Sequence, residues 1–228
     1  MSNGTVFADI SDRYDRLNAI LSLGQDQKWR QTVVSRLPQG RVLDLGAGTG
    51  AANQILEPRE IVALDPAPQM IAHNNAAARV VAVGEQLPFA DETFDAVFSA
   101  YVFRNLDSVD ETMQEVARVL KPGGLAGIID LGRPEGRFKS RIHRAGTSVV
   151  LPMAGMTVGA REEYLYLHKT LDKHPPPEEL LAKTSLTLLE TWRLGPMGFV
   201  WAALLEKQRT EGRGQRTEGS SARALGNP

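Results

Sequence analysis

The sequence predicts an α/β protein with a mostly parallel sheet covered by helices on both faces. Short apolar runs alternate with helical stretches between residues 41 and 131. Such runs are typical of strands buried on both faces, and a helix usually connects one parallel strand to the next. Two more apolar runs near the carboxyl end bring the number of strands to seven. The predicted strands are Arg41–Leu45, Glu60–Leu64, Arg79–Val83, Ala96–Phe103, Leu125–Leu131, Leu186–Arg193 and Phe199–Lys207.

Helical periodicity accounts for most of the remaining chain. Apolar residues recur at steps of three and four from Phe7 to Leu21, which predicts an amphipathic N-terminal helix that ends near Gly24. The other predicted helices are Lys28–Leu37, Ala67–Ala77, Ser108–Leu120 and Pro177–Lys183.

These elements divide the chain into three parts. Residues 1–38 form a predicted helical lid, and residues 39–208 form the main domain. Within that domain, residues 133–177 are rich in Pro and Gly and lose the strand–helix alternation, which predicts a helical insertion before the last two strands. Residues 209–228 repeat the letters RTEG and have almost no apolar side chains, so we expect a disordered tail.

Composition excludes several classes of function. The 26 Lys and Arg residues nearly balance the 27 Asp and Glu residues, so the chain lacks the basic excess that nucleic-acid binding requires. With no Cys, the chain forms no disulfide, zinc–thiolate site or thiol nucleophile. The four His residues share no metal-ligand spacing, and no metal is expected. We expect a cytoplasmic protein that is either free or peripheral to the inner face of the membrane.

A glycine-rich stretch, RVLDLGAGTG, closes the first predicted strand. Asp44, Gly46, Gly48 and Gly50 fall at its end, where glycines let the backbone turn tightly and approach a ligand. Asp65 closes the next strand, where an acidic side chain accepts hydrogen bonds from the ribose hydroxyls of a nucleoside. The alternative interpretation is a tight strand–helix turn with a surface Asp.

The glycine spacing separates two kinds of nucleoside ligand. Dinucleotide sites use G-x-G-x-x-G at a helix N-terminus that faces a pyrophosphate. Here the spacing is G-x-G-x-G, with an acid two residues before the first glycine and no basic residue in the loop. D-x-G-x-G-x-G resembles motif I of class I S-adenosylmethionine (SAM) methyltransferases. That resemblance implies their Rossmann-like fold, with Asp44 and the loop backbone at the methionine end of SAM.

Four stretches resemble the ubiquinone/menaquinone biosynthesis C-methyltransferase family. They are YDRLNAILSLGQDQKWR (14–30), LPFADETFDAVFSAYVFRNL (87–106), RVLKPGG (118–124) and VLPMAGMTVGAREEYLYL (150–167). RVLKPGG is common among small-molecule methyltransferases, whereas the other three are more specific. The resemblance implies SAM-dependent C-methylation of a demethylmenaquinol or related prenylated quinol in menaquinone or ubiquinone biosynthesis.

The resemblance also implies a set of cofactor contacts. Val83 stands where the family usually has Asn or Asp, and Ala100 where it has Ser. At both positions either backbone groups make the contacts, or Glu85 or Ser99 substitutes. Asp26 and Asp130 likewise stand where His and Glu are typical. The predicted cofactor residues are Asp44, Gly46, Gly48, Thr49, Gly50, Asp65, Val83, Gly84, Glu85, Ser99 and Ala100.

The predicted catalytic residues are Arg104, Asn105 and Tyr14. Arg104 and Asn105 follow the fourth strand, and ligands of open α/β sheets bind beyond the carboxyl ends of the strands. We expect both to bind the hydroxyl oxygens of the quinol, with Arg104 favouring the phenolate. The alternative is a surface ion pair with an Asn helix cap, although Asp107 or Ser108 is better placed as the cap. Tyr14 either covers the quinol ring or packs in the core.

Two other functions fit the same residues. One is a SAM-dependent methyltransferase with another small-molecule acceptor, and the other is an inactive SAM-binding assembly partner. For the prenylated substrate, the apolar stretch 148–158 either lines an entrance for the tail or packs internally. A basic cluster either contacts a membrane or is solvated, and a homodimer is left open. That cluster is Arg133, Arg137, Lys139, Arg141 and Arg144.

Overall fold

The computed structural model describes residues 22, 24–158, 171 and 175–209. The predicted helix from Phe7 to Leu21, most of the predicted lid and residues 210–228 of the predicted tail lie outside them. The helices are α1 (Asp26–Val34), α2 (Asn53–Leu56), α3 (Pro68–Ala72), α4 (Val109–Val119), α5 (Arg137–Val158) and α6 (Pro177–Leu180). The strands are β1 (Arg41–Leu45), β2 (Glu60–Asp65), β3 (Ala78–Val81), β4 (Phe94–Ala100), β5 (Leu120–Leu131), β6 (Thr187–Leu194) and β7 (Val200–Glu206).

All seven strands form one sheet in the order β3-β2-β1-β4-β5-β7-β6. The strands β1 to β5 pair in parallel, and β7 lies antiparallel between β5 and β6. From β1 the next two strands are added on one side, and β4 and β5 are added on the other side. Ligands of open α/β sheets bind at such a switch point, so the crevice at the carboxyl ends of β1 and β4 is the expected ligand site. The predicted class, a mostly parallel seven-stranded α/β sheet, is confirmed.

Helices cover both faces of this sheet. On one face, α1 contributes Trp29, Val33 and Val34 to a cluster that contains Val42, Phe98 and Ile129. The buried side chains of α1 form two pairs spaced four residues apart, Trp29 with Val33 and Arg30 with Val34, so they lie on one face of the helix. The other face packs α4 against the same strands, through Met113 and Val116. Neighbouring strand residues therefore point to opposite helices.

Two strand ends, the end of β4 and the start of β5, differ from the predictions by more than two residues. β4 ends at Ala100 because Tyr101 has a φ of 65°, and a short 3₁₀ turn follows at Phe103–Asn105. β5 begins at Leu120 and includes the Lys121–Gly124 stretch, which the predicted strand Leu125–Leu131 left out. Backbone bonds explain the longer strand: Gly123 N donates to Lys207 O at 2.7 Å and Lys207 N donates to Gly124 O at 3.0 Å.

The predicted helix Ala67–Ala77 is shorter than expected and ends at Ala72. The side chain of the buried Asn74 accepts a hydrogen bond from Ala76 N at 2.9 Å, and this local bond replaces a further helical turn. Between β5 and β6, α5 occupies 22 residues. In the described ranges, no helix has the length and apolar character needed to span a membrane.

Candidate functional site

The glycine loop between β1 and α2 makes a tight turn that few other residues could adopt. Gly46, Gly48 and Gly50 have φ values of 73°, 53° and 92°. Gly46 N and Ala47 N both donate to Leu64 O, at 2.8 and 2.9 Å, which holds the loop against the end of β2. A Cβ at Gly46 would collide with the side chain of Val102. The loop therefore needs glycine both for its conformation and for its packing.

Asp65, at the end of β2, fixes the same loop through its carboxylate. Its Oδ2 accepts from Gly48 N at 2.9 Å and its Oδ1 accepts from Ala67 N at 2.8 Å. Burial raises its pKa above the ordinary value for Asp, and these two bonds oppose the rise. A carboxylate has about four acceptor sites, so two bonds leave capacity for ribose hydroxyls.

Two asparagines that the sequence interpretation did not select brace this loop. Asn74 is fully buried, and its Nδ2 donates to Gly48 O at 3.2 Å while its Oδ1 accepts from Asn53 Nδ2 at 2.9 Å. A Cβ at Gly50 would lie 2.6 Å from Asn53 Nδ2 and 3.1 Å from Asn74 Cγ. No motif marks these residues in the sequence.

Asp44 is the buried acid of the site. It is 2% exposed, and its Oδ2 has no hydrogen-bond partner among the described residues. Burial raises the pKa of Asp44 to about 7, with Arg30 lowering it and Asp65 raising it further. An unsatisfied carboxylate oxygen beside a glycine turn fits the ammonium group of a methionine-like ligand. The loop and this acid together thus fit the amino-acid end of SAM.

The predicted adenine-side residues lie between β3 and α4. Val83 is 47% exposed, and Gly84 packs so closely on α4 that a Cβ would lie 3.0 Å from Thr112 Cγ2. Glu85 Oε1 accepts from Asp107 N at 3.0 Å and from Ser108 N at 3.2 Å. In this arrangement Glu85 ties the β3–β4 connection to the start of α4.

Ser99 and Ala100 lie at the end of β4, beside the glycine loop. Ser99 is 1% exposed, and its Oγ donates to Leu45 O at 3.0 Å. This hydroxyl joins β4 to β1 within the sheet. Ala100 is partly buried and stands at the last position of the strand. Thr49 in the loop is also partly buried.

Arg104 is buried at the rim, in an ion pair with Asp130. Arg104 Nη1 donates to Asp130 Oδ1 at 2.6 Å, and the backbone N of Arg104 donates to Asp130 Oδ2 at 3.2 Å. The two side chains are 6% and 1% exposed. The surface ion pair that was the alternative for Arg104 is therefore wrong. Asp130 on the neighbouring strand β5 instead holds the guanidinium of Arg104 inside the protein.

Asn105 ends the 3₁₀ turn after Arg104, and its backbone N donates to Val102 O at 2.8 Å. It does not cap α4: the cap is Ser108, whose Oγ accepts from Glu111 N at 3.2 Å. The preference for a cap at Asp107 or Ser108 is confirmed at Ser108. Tyr14, the third predicted catalytic residue, lies outside the described residues.

Comparison with known proteins gives one consistent family. A sequence model of the ubiE/COQ5 methyltransferase family matches residues 2–185. A demethylmenaquinone methyltransferase of Protochlamydia amoebophila is 34% identical, over 79% of this chain and 84% of its own length. One from Thermus thermophilus is 36% identical over 78% and 88%. A ubiquinone/menaquinone biosynthesis C-methyltransferase of Geobacter sulfurreducens is 35% identical over 78% and 76%.

Solved structures match the fold. A SAM-dependent methyltransferase from Thermotoga maritima, described as a possible histamine N-methyltransferase, has a TM-score of 0.64 at 19% identity. The match covers 90% of this chain and 99% of that one. An Aquifex aeolicus SAM-dependent methyltransferase has a TM-score of 0.56 at 18% identity, covering 87% and 97%. At such identities the likeness extends to the fold alone.

Proposed function

The chain belongs to the ubiE/COQ5 methyltransferase family, and we propose that it methylates a ring carbon of a demethylmenaquinol or related prenylated quinol with SAM. The observation that carries this proposal is the buried Arg104, held by Asp130 on the same sheet rim as the glycine loop. A cation on that rim would stabilise the negative charge that develops on the oxygen of an acceptor bound beside the cofactor.

Each group of residues at the cofactor end of the site binds a different part of SAM in this proposal. SAM supplies an electrophilic methyl group on its sulfonium when bound. Asp65 accepts hydrogen bonds from the ribose, and the backbone of Gly46 to Gly50 lies against the amino-acid end. Asp44 binds the ammonium group, which satisfies the Oδ2 atom that lacks a partner within the described residues. Asn53 and Asn74 keep the loop in this conformation.

At the acceptor end, Arg104 and Asn105 face the quinol oxygens. A phenol has a pKa of about 10, so the neutral ring is a poor carbon nucleophile at neutral pH. A hydrogen-bond donor aimed at the phenol oxygen favours the phenolate and raises the electron density on the carbon next to it. Arg104 provides such donors with a permanent charge, and Asp130 fixes their direction. Asn105 supplies a neutral donor to the second oxygen.

The rest of the reaction depends on orientation and on excluding water. Transfer of the methyl group from a sulfonium to a phenolate ring carbon would neutralise two opposite charges, so a dry site would favour the transition state. The ring carbon would then lose its C–H proton to solvent, and the aromatic quinol would re-form. Holding the methyl group and ring carbon in line, roughly 3–3.5 Å apart, lowers the barrier by up to about 7–11 kcal/mol. Tyr14 covers the quinol ring in this proposal.

A prenylated quinol dissolves in a membrane, and α5 offers a surface for contact with one. Phe138 and Ile142 lie one turn apart on this helix and are 76% and 48% exposed. Lys139, Arg141 and Arg144 flank them, and each basic residue near an anionic surface contributes about 1 kcal/mol. We expect wild type to sediment with anionic vesicles and Phe138→Ser/Ile142→Ser to remain in solution. If the wild type and the double variant sedimented equally, α5 would not be the part of the protein that contacts the membrane.

Two measurements test the main proposal. Calorimetric titration with S-adenosylhomocysteine (SAH) should show binding, and labelled SAM should transfer its methyl group to demethylmenaquinol. Binding without transfer would leave another acceptor or an inactive binding protein. Failure to bind SAH would remove the cofactor assignment itself.

A further inference from the structure

Besides Oδ1 of Asn53, three buried polar side-chain atoms near the glycine loop have no hydrogen-bond partner among the described residues. They are Nε of Arg30 on α1, Oδ2 of Asp44 on β1, and the hydroxyl oxygen of Tyr101 just after β4. Their residues are 7%, 2% and 4% exposed. Buried polar groups are normally paired, and one left unpaired costs about 1–3 kcal/mol or more if charged. Three such groups together at the rim of the sheet therefore indicate a binding site for a polar ligand.

The three groups lie on the same side of the sheet. Asp44 shares its strand face with Val42, which belongs to the cluster under α1 together with Tyr101. The guanidinium carbon of Arg30 lies 5.0 Å from the centre of the Tyr101 ring. Arg30 also lies close enough to Asp44 for its charge to lower the pKa that burial has raised. A cation, an anion and a neutral hydroxyl thus meet in one small volume.

Tyr101 reaches this position through a strained backbone. Its φ of 65° lies in the left-handed region, which a bulky aromatic residue adopts only when the surroundings impose it. Tyr101 N donates to Ile129 O at 2.7 Å, so β5 holds the residue in that conformation. This conformation places the ring beside Arg30 on α1. Burial raises the pKa of the Tyr101 hydroxyl, while the charge of Arg30 lowers it and that of Asp26 raises it.

The helix α1 is fixed over the glycine loop, which gives Arg30 a defined place. Gln27 Nε2 donates to Ala51 O at 3.0 Å, and Trp29 packs edge-on against Phe199. Arg30 Nε lies 3.8 Å from Asp26 Oδ2, which is an ion pair but too long for a hydrogen bond. Asp26 therefore orients Arg30 without saturating its Nε.

We propose that Arg30 and Tyr101 bind the carboxylate of the methyl donor's amino-acid end, opposite Asp44 at its ammonium group. An α-amino acid carries both charges on one carbon, so one ligand satisfies the cation and the anion together. The inference rests on the proposed function, since it assigns the ligand of the same cofactor site. It adds a role for α1 as the carboxylate-binding element.

The test compares two ligands that differ only in this carboxylate. SAH has it, whereas 5′-deoxy-5′-(3-aminopropylthio)adenosine keeps the ammonium group and lacks it. By calorimetric titration, we expect wild type to bind SAH about 10- to 100-fold more tightly, as a charge-assisted hydrogen bond allows. In Arg30→Met that preference should fall to less than about threefold, because the affinity for SAH should fall much more than the affinity for the analogue. Tyr101→Phe, which removes only the hydroxyl, should show a smaller loss on SAH alone.

Far-UV circular dichroism and thermal melting check that each variant folds. If Arg30→Met does not fold, Arg30→Lys and Tyr101→Phe provide the test, because both keep the side-chain volume and should reduce the preference for SAH. A ratio unchanged from wild type in the folded variants would overturn the inference while SAH binding still supports the proposed function. Equal losses for both ligands would also overturn it, since they indicate a structural role. Wild type that binds neither ligand would overturn both proposals.

Discussion

Asp44 should make the folded state less stable as the pH rises through the acidic range. Burial raises its pKa from an ordinary 3.8 to about 7, so between these values the folded chain holds a proton that the unfolded chain has lost. Stability falls with pH wherever the folded state binds more protons. A carboxylate in a salt bridge has the opposite effect. The penalty begins near the unfolded pKa and is complete above about pH 7.

Asp44→Asn should remove this penalty. We expect the variant and wild type to unfold at similar urea concentrations near pH 4, and the variant to be more stable at pH 8 by up to about 4 kcal/mol. Asp65, whose pKa is also raised, is present in both proteins, but it interacts with Asp44 and so cancels only in part from the difference. Urea titrations at pH 4, 6 and 8 measure it. An advantage that stays constant with pH would contradict the assignment.

The pair of Arg104 and Asp130 allows catalysis to be separated from stability. Arg104→Met leaves a buried carboxylate without its partner, which should lower the free energy of unfolding by about 3–5 kcal/mol. The double variant Arg104→Met/Asp130→Leu removes both charges and should recover most of that loss. We expect neither protein to transfer methyl groups, while both keep SAH affinity within a few-fold of wild type.

Denaturant unfolding and labelled-SAM turnover measure the two effects, and Asp130→Asn serves as the matched control. If the double variant regains turnover together with stability, Arg104 acts only in folding. If SAH affinity collapses with turnover, Arg104 belongs to the cofactor site instead.

The sequence predicted that Arg104 lies at the rim but not that it is buried against Asp130. Its position followed from the end of an apolar strand, which periodicity reveals. Its partner depends on a 3₁₀ turn and on the conformation of Tyr101, neither of which leaves a pattern in the sequence. Arg30 was missed for a related reason, since only the packing of α1 on the sheet brings it to Asp44.

At the scale of elements, Asn74 connects the end of α3 to the glycine loop. Asn74→Ala removes the bond that it donates to Gly48 O and the bonds that it accepts from Asn53 Nδ2 and Ala76 N, whereas Asn53→Ala removes only one of the three. With about 1 kcal/mol for each bond, we expect losses of stability of about 3 and about 1 kcal/mol. SAH affinity should fall in the same order. Thermal melting and calorimetric titration test this; a larger effect at Asn53 would contradict the proposed brace.

Element boundaries show why sequence reasoning succeeds for some strands and fails for others. β1 was predicted at its observed bounds, because its apolar run is enclosed by Gly40 and Gly46. β5 was predicted five residues too short, because its apolar run begins only at Leu125, after Pro122, Gly123 and Gly124. Tertiary pairing of Gly123 and Gly124 with Lys207 extends the strand beyond this run.

For the whole molecule, cofactor binding should appear as added stability. A ligand that binds only the folded chain at 100 times its dissociation constant adds about 2.7 kcal/mol. For a domain of this size, that corresponds to a rise in melting temperature of roughly 5–10 °C. Differential scanning calorimetry with SAH measures the shift, and adenosine at the same concentration is the control. Confirmed SAH binding with no shift would mean that SAH also binds the unfolded chain.

The sequence also indicated the whole architecture, since alternating strands and helices specify a parallel α/β sheet and the motifs specify the family. It did not indicate the order of the last two strands. Their apolar runs fit either order, and the choice of β7 beside β5 depends on how the final segment packs under α1 and α6.

The place of β7 has a consequence for biosynthesis. β7 leaves the ribosome after β5 and β6 and fills the gap between them, with a main-chain partner on each side. Until it arrives, two apolar strands present open edges, which are templates for pairing with other chains. A nascent chain arrested before Val200 should therefore be a substrate for chaperones, and premature stop codons in this region should yield aggregates rather than a smaller working enzyme.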